Sequence, residues 1–95
     1  YDEALAAARA LGAEEALLVR GDGLVTEGSW TNVFVDGPGG VLLTPPAQLG
    51  LLPGVLRAEL IAEGRAREAE LTLGDLAGGF FIGNGLRGLM RAVLV

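Results

Sequence analysis

The sequence predicts an α+β fold that consists mostly of antiparallel strands, with two or three helices. Short apolar runs of strand length recur along the chain, and turn-forming glycines and prolines separate them. The connections between these runs are too short for the crossovers that parallel strands need. Ninety-five residues suit one domain or part of a larger one, so we expect residues 1–95 to form a single, partial domain.

Helices are predicted in three places. The alanine-rich stretch 2–11 favours a helix, with Gly12 as its C-terminal cap. A second helix is predicted to begin after Pro53-Gly54 and to end at Gly64. Residues 72–75 have the Thr-x-x-acid spacing of a capping box, which indicates one further helical turn.

Strands are predicted wherever a short apolar run is bounded by turn residues. The loop 36–40, with its proline and three glycines, predicts a hairpin between two of them. We expect the strands that carry Glu27 and Phe80 to be central in the sheet. The predicted strands cover residues 16–19, 24–26, 32–35, 41–44, 65–71, 80–82 and 90–95.

Composition excludes several classes of function. The net charge of −5 argues against binding to nucleic acid or to an anionic membrane, both of which need a basic face. The chain has no cysteine and no histidine, so it lacks disulfides, the commonest zinc ligands and the usual base near neutral pH. No apolar run approaches the roughly 20 residues of a membrane span, and no secretory signal is visible, so we expect a cytoplasmic protein.

Three short strings carry most of the functional information: residues 26–32 (TEGSWTN), 50–57 (GLLPGVLR) and 83–89 (GNGLRGL). In the first string, Glu27 lies between apolar residues and Trp30, and a carboxylate in such a setting needs a cationic partner or good hydrogen bonds. The second string places a glycine before a predicted helix, where free N–H groups and the helix dipole favour a phosphate. Each string also has an interpretation without a function. Glu27 could be a solvated side chain, residues 50–57 could be the start of a helix, and residues 83–89 could be a turn.

Together and in this order, the strings resemble the C-terminal half of class IV aminotransferases, which depend on pyridoxal phosphate. Within that family the likeness is greatest to aminodeoxychorismate lyases, because of the Leu-Arg-Gly-Leu run at 86–89. The resemblance implies the C-terminal part of the larger domain of the D-amino-acid aminotransferase-like fold. It also implies that the complete enzyme releases pyruvate from aminodeoxychorismate, giving 4-aminobenzoate for folate synthesis. A branched-chain or D-amino-acid transaminase is the alternative.

The resemblance assigns a role in cofactor binding to residues of the first two strings. Glu27 would face the pyridine nitrogen, which a nearby carboxylate keeps protonated. Asn32 would support Glu27, although it could equally close a turn. The backbone amides of Val55 and Leu56, which follow Gly54, would bind the phosphate.

The third string would complete the site. Asn84 and Gly85 would give a second phosphate contact, with glycine at the position where the lyases have serine. Arg87 is a candidate for the substrate carboxylate, since a guanidinium matches it in a two-pronged geometry. Surface pairing of Arg87 is the alternative.

All seven basic residues of the chain are arginines, so the lysine that would hold the cofactor covalently is absent from these 95 residues. The resemblance places that lysine, and a small N-terminal domain, before Tyr1. We therefore expect a portion of a longer enzyme that is inactive alone and needs the missing N-terminal segment. A homodimer is expected too, because class IV enzymes are commonly dimers and an incomplete half exposes apolar surface. A non-catalytic fragment is the alternative of another class.

Overall fold

The computed structural model describes residues 3–10 and 13–95. Within these ranges the chain forms a mixed α+β fold with nine strands, two α-helices and two short 3-10 turns. No helix in the described part of the chain is long and apolar enough to cross a membrane. The strands are β1 Glu3–Ala10, β2 Ala13–Arg20, β3 Leu24–Gly28, β4 Asn32–Asp36, β5 Leu42–Thr44, β6 Ala66–Glu68, β7 Leu71–Thr72, β8 Phe80–Asn84 and β9 Gly88–Leu94; the helices are α1 Val55–Ala62 and α2 Leu73–Leu76.

The strands pair in the order β6-β5-β4-β8-β9-β1-β2-β3-β7. All neighbouring strands run antiparallel except β5 and β6, which run parallel to each other. That pair is possible because α1 lies between the two strands in sequence and supplies the long connection that a parallel pair requires. The prediction of a mostly antiparallel α+β fold is therefore confirmed.

The predicted helix at 2–11 is wrong, because residues Glu3–Ala10 form strand β1. Alanine favours a helix locally, but an isolated helix shorter than about 12–15 residues is marginal in water. Pairing with β2 from one end of β1 to the other, and with β9 on its other side, satisfies the backbone groups instead. Ala8 and Ala10 are buried while Ala7 and Arg9 are exposed, which is the two-residue period of a strand. Gly12, the predicted cap, lies outside the described residues.

Two other expectations about the strands need correction. Strand β3, which carries Glu27, is not central: it lies next to the edge strand β7, because only β2 and β7 pair with it. The predicted strand at 65–71 is split into β6 and β7, which lie at opposite edges of the sheet. By contrast, β8 lies between β4 and β9 and is central, as expected for the strand that carries Phe80.

The two helices lie close to where the sequence predicts them. Helix α1 begins at Val55 and ends at Ala62, and Gly64 then takes a φ of 73° that glycine adopts at little cost. Helix α2 is a single turn with the predicted capping box, in which Thr72 and Asp75 exchange hydrogen bonds.

The described residues form two apolar clusters. The larger one joins α2 and seven strands: β1, β2, β3, β4, β7, β8 and β9. The smaller one consists of Phe34, Leu60 and Ala66, with Leu56 packed against it, and it fixes α1 to the sheet. This second cluster matters for function because it sets the position of the N-terminus of α1.

Candidate functional site

The three strings that the sequence analysis singled out lie together in the structure. Strands β4 and β8 pair Asn32 with Gly83, which joins the first string to the third. A Cβ added at Gly54 would overlap the side-chain amide of Asn32, so the second string touches the first. A Cβ added at Gly85 would lie 3.4 Å from Val55 Cβ, so the two predicted phosphate turns are neighbours. Segments 51 residues apart in sequence, at Asn32 and Gly83, therefore meet at one place.

Glu27 is buried near the end of β3, with 8% of its surface exposed. Its Oε1 accepts a hydrogen bond of 2.8 Å from the backbone N–H of Leu52, which ties the second string to the first. Among the described residues no arginine forms an ion pair with Glu27. A carboxylate can accept about four hydrogen bonds, so Glu27 retains capacity for a cationic N–H donor.

The turn after Glu27 holds two buried polar atoms that lack a hydrogen bond within the described part of the chain: Thr31 Oγ1 and Asn32 Nδ2. The turn is closed by a 2.9 Å bond from the Gly28 N–H to the Thr31 carbonyl. Leaving a buried polar group unsatisfied costs about 1–3 kcal/mol. The described residues therefore leave the hydrogen bonding of this turn incomplete at two atoms.

The N-terminus of α1 has the character of an anion site. Its N-cap, Gly54, offers no side-chain hydrogen bond to the first turn, and no acidic residue lies in that turn. Helix N-terminal amides and the helix dipole favour a negative charge at this position. Glycine is needed at 54 because of the contact with Asn32 rather than for its backbone angles, which are extended at φ −84° and ψ 137°.

Asn84 organises the turn at the end of β8. Its Oδ1 accepts hydrogen bonds from the backbone N–H groups of Leu86 (3.0 Å) and Arg87 (2.8 Å). Its Nδ2 donates to the Trp30 carbonyl at 3.3 Å, which joins this turn to the first string. The Asn84 amide is thus engaged with protein groups, and the role that this geometry supports is to hold the turn that presents Gly85. Arg87 is exposed and forms no ion pair with any described residue.

Arg57, the last residue of the second string, connects α1 to the loop before it and to β6. The guanidinium is buried, and its Nη2 donates to the Pro45 carbonyl at 3.1 Å and to Glu68 Oε2 at 2.5 Å. The same Glu68 oxygen accepts the Ala47 N–H at 2.7 Å. Sequence reasoning did not identify Glu68, because its partners lie 11 and 21 residues away and leave no local pattern. The hydrogen bonds of Arg57 and Glu68 link β6, α1 and the loop that leads to Gly54.

The environment of Glu68 lowers the pKa of its carboxyl group below the ordinary value of 4.5. The main cause is the hydrogen bond from the Ala47 N–H, followed by the hydrogen bond and the charge of Arg57. A carboxyl group whose pKa is lower in the folded state stabilises the fold at pH values above its unfolded pKa. That contribution is lost as the pH falls through the lower, folded pKa.

We therefore expect Glu68→Gln to lower the free energy of unfolding at pH 7 and to have a progressively smaller effect as the pH falls below about 4.5. Urea denaturation of both proteins between pH 7 and pH 3 measures this difference. Glu70→Gln is the matched control, because Glu70 is an exposed glutamate two positions further on. A Glu68→Gln effect that is independent of pH would contradict the assignment.

Comparison with known proteins identifies the family and agrees with the fold. The family model for amino-transferase class IV matches residues 1–95. A candidate amino-acid aminotransferase of Mesorhizobium loti is 53% identical, with a TM-score of 0.75, over 81% of this chain and 38% of its own. A candidate 4-amino-4-deoxychorismate lyase of Legionella pneumophila is 32% identical, with a TM-score of 0.71, over 85% of this chain and 32% of its own.

The branched-chain amino acid aminotransferase of Escherichia coli is 26% identical, with a TM-score of 0.65, over 81% of this chain and 28% of its own. The chain therefore spans about a third of the length of these solved structures. A search of curated protein sequences finds no significant match. The family model covers the whole chain and the fold agrees with that of the solved structures, so the chain belongs to the class IV aminotransferase family.

Proposed function

We propose that this chain forms the part of a class IV enzyme site that holds the pyridine ring and the phosphate of pyridoxal phosphate. One observation carries the proposal: the three strings that contain Glu27, the N-terminus of α1 and the Gly85 turn contact one another although they are far apart in sequence. A carboxylate beside two sources of free backbone amides is complementary to a molecule with a protonated ring nitrogen and a phosphate.

The described residues fit this cofactor. Asn32 Nδ2 and Thr31 Oγ1 are buried polar atoms without a hydrogen-bond partner among the described residues. The first turn of α1 has neither a side-chain cap nor an acidic residue that would compete with a phosphate. Gly85 is exposed and places no side chain between its backbone and Val55.

Each residue then has a defined role. Glu27 would hold the proton on the ring nitrogen, and the Leu52 N–H would fix the direction of its carboxylate. The backbone amides of Val55, Leu56 and Gly85 would bind the phosphate. When bound, the cofactor supplies an electron sink for bonds at the substrate α-carbon, and a carboxylate at the ring nitrogen strengthens that sink.

For the complete enzyme, we propose release of pyruvate from aminodeoxychorismate, which would place it in cytoplasmic folate synthesis. The 86–89 run and the 32% identity to the candidate lyase support this reaction. A transaminase is the second candidate, because a 53% identical structure is a candidate amino-acid aminotransferase. Incubating the complete enzyme with aminodeoxychorismate, or with a branched-chain amino acid and a 2-oxo acid, separates the two by the product formed.

The remaining parts of the site would come from an N-terminal segment of the same enzyme and from assembly as a homodimer. An N-terminal segment or a second subunit would cover large apolar side chains that are exposed on all three strings. These are Trp30, Leu52, Val55 and Leu86, each more than half exposed. The sequence contains no lysine, so covalent attachment of the cofactor is assigned to that N-terminal segment.

The direct test is a titration of the 95-residue chain with pyridoxal phosphate, followed by the cofactor absorbance. We expect saturable, reversible binding that Glu27→Gln weakens by about tenfold or more, since hydrogen bonds to charged groups contribute about 1.5–3 kcal/mol. Glu59→Gln is the control, because Glu59 is an exposed glutamate on α1. The proposal fails if the chain does not bind, or if Glu27→Gln and Glu59→Gln bind as tightly as the unmodified chain.

A further inference from the structure

The loop at residues 45–54, which joins β5 to α1, leads the chain into the proposed phosphate site. Packing does not hold most of this loop in place, because none of residues 47–54 is buried. A cavity of about 290 Å³ is lined both by this loop and by the first turn of α1. Close apolar contact therefore does not fix the distance between the loop and the helix, and the hydrogen bonds of the loop must do so.

Two carboxylates hold the loop, one near each end. Near its beginning, the Ala47 N–H donates to Glu68 Oε2 at 2.7 Å. Near its end, the Leu52 N–H donates to Glu27 Oε1 at 2.8 Å. Arg57 adds a hydrogen bond of 3.1 Å to the carbonyl at which the loop begins. The position of the loop thus depends on a few charged side chains from other segments.

The Glu68 carboxylate also binds the helix that follows the loop. The oxygen that accepts the Ala47 N–H accepts Nη2 of Arg57 as well, at 2.5 Å. Arg57 is the third residue of α1, directly after Leu56. Its guanidinium is buried, and its Nε has no hydrogen-bond partner among the described residues. One oxygen of Glu68 therefore connects the beginning of the loop to the first turn of α1.

We propose that Glu68 is a positioning residue for the phosphate at the N-terminus of α1. By holding the loop and Arg57 on one oxygen, its carboxylate fixes the direction of the backbone amides in the first turn of the helix. The inference rests on the proposed function, because it concerns the phosphate half of that site. Glu68 then complements Glu27, which holds the other end of the same loop and would face the ring nitrogen.

Positioning and long-range charge predict opposite results for Glu68→Gln. The hydrogen bond from the Ala47 N–H and the neighbouring Arg57 lower the pKa of the Glu68 carboxyl group, so this group is ionised at neutral pH. Removing a negative charge near an anion site would by itself strengthen phosphate binding. The substitution also leaves the buried guanidinium of Arg57 without its counterion, which favours a shift of the first turn. A loss of phosphate affinity therefore reports displaced amides rather than the changed charge.

Three probes separate the two halves of the site: inorganic phosphate, pyridoxine, which has the ring without the phosphate, and pyridoxal phosphate. Binding to the 95-residue chain at neutral pH is followed by ¹H–¹⁵N NMR, in which the amides of Val55 and Leu56 report on the phosphate. We expect Glu68→Gln to weaken binding of both phosphate-bearing probes by about threefold or more and to leave pyridoxine binding unchanged. Glu27→Gln should weaken pyridoxine instead and leave inorganic phosphate unchanged. Glu70→Gln, at an exposed neighbour, is the control for all three probes.

A second variant tests the positioning role without changing any charge. Ala47→Pro removes the N–H that donates to Glu68. Proline suits this position, because Ala47 is the first residue of a 3-10 turn and Pro46 before it has the extended backbone that a following proline requires, with φ −71° and ψ 143°. We expect Ala47→Pro to weaken binding of inorganic phosphate and Ala47→Ser, which keeps the N–H, to bind it like the unmodified chain. Circular dichroism verifies the fold of each variant.

The inference is overturned if Glu68→Gln binds both phosphate-bearing probes as tightly as Glu70→Gln or more tightly, or if it weakens pyridoxine by the same factor. The same titrations separate this failure from that of the proposed function. Pyridoxal phosphate binding that depends on Glu27 but not on Glu68 supports the cofactor site and refutes the positioning role. Inorganic phosphate binding that depends on Glu68, with no effect of Glu27→Gln on pyridoxal phosphate, supports the positioning role and refutes the cofactor site. If neither phosphate-bearing probe binds, both are refuted.

Discussion

Replacing Phe34 with alanine is expected to lower the free energy of unfolding by about 3–5 kcal/mol. Phe34 is fully buried in β4, where it packs with Leu60 of α1 and Ala66 of β6. Truncation of its ring removes apolar contacts and leaves a cavity between α1 and the sheet. Because folded proteins of this kind are stable by only about 5–15 kcal/mol, the variant loses a large share of its total stability.

Urea denaturation followed by circular dichroism measures the effect of Phe34→Ala. Leu86→Ala is the matched control, because Leu86 is an apolar residue that is 92% exposed, and we expect it to change stability by less than about 0.5 kcal/mol. A Phe34→Ala loss as small as that of Leu86→Ala would show that the small cluster does not anchor α1. Since this cluster sets the position of the α1 N-terminus, we also expect Phe34→Ala to weaken cofactor binding.

Gly54→Ala is the second substitution with a large expected effect. The φ of Gly54, −84°, suits alanine, so its backbone adds no strain. The added Cβ would instead overlap Asn32 Oδ1, and either the buried amide or the start of α1 must move. Overpacking of this kind typically destabilises by about 1–3 kcal/mol, and we expect it to displace Val55 and abolish saturable pyridoxal phosphate binding.

Gly78→Ala provides the control, because a Cβ there meets no atom within 4 Å. We expect Gly78→Ala to retain cofactor binding and to change the free energy of unfolding by less than about 1 kcal/mol. Cofactor absorbance and urea denaturation of the two variants give both quantities. Identical behaviour of Gly54→Ala and Gly78→Ala would exclude a role for the contact between Gly54 and Asn32.

Local sequence signals predicted much of the fold. The glycine-rich loop at 36–40 predicted the β4–β5 hairpin, and Pro53-Gly54 predicted the start of α1. The Thr72–Asp75 spacing predicted the capping box that the structure contains. These features depend on residues a few positions apart, so their physical causes can be read from the chain itself.

The exceptions depend on partners distant in sequence. Residues Glu3–Ala10 have helical propensity, yet they form a strand because β2 and β9 pair with it. Glu27 could be selected as a functional candidate from its string, but its hydrogen bond to the Leu52 N–H could not. No local sequence pattern indicated a role for Glu68, although its carboxylate accepts hydrogen bonds from both Arg57 and Ala47.

The amino-acid sequence was sufficient for the family, the mostly antiparallel α+β architecture and the three strings that contain the candidate residues. The family pattern lies in residue types at short spacings, which are visible without coordinates. Only the tertiary structure showed that the strings meet, that Asn32 imposes glycine at position 54, and that Glu68 connects the loop before α1 to Arg57. The physical reason is that these contacts are steric and electrostatic interactions between distant segments, and strand order and register decide which segments become neighbours.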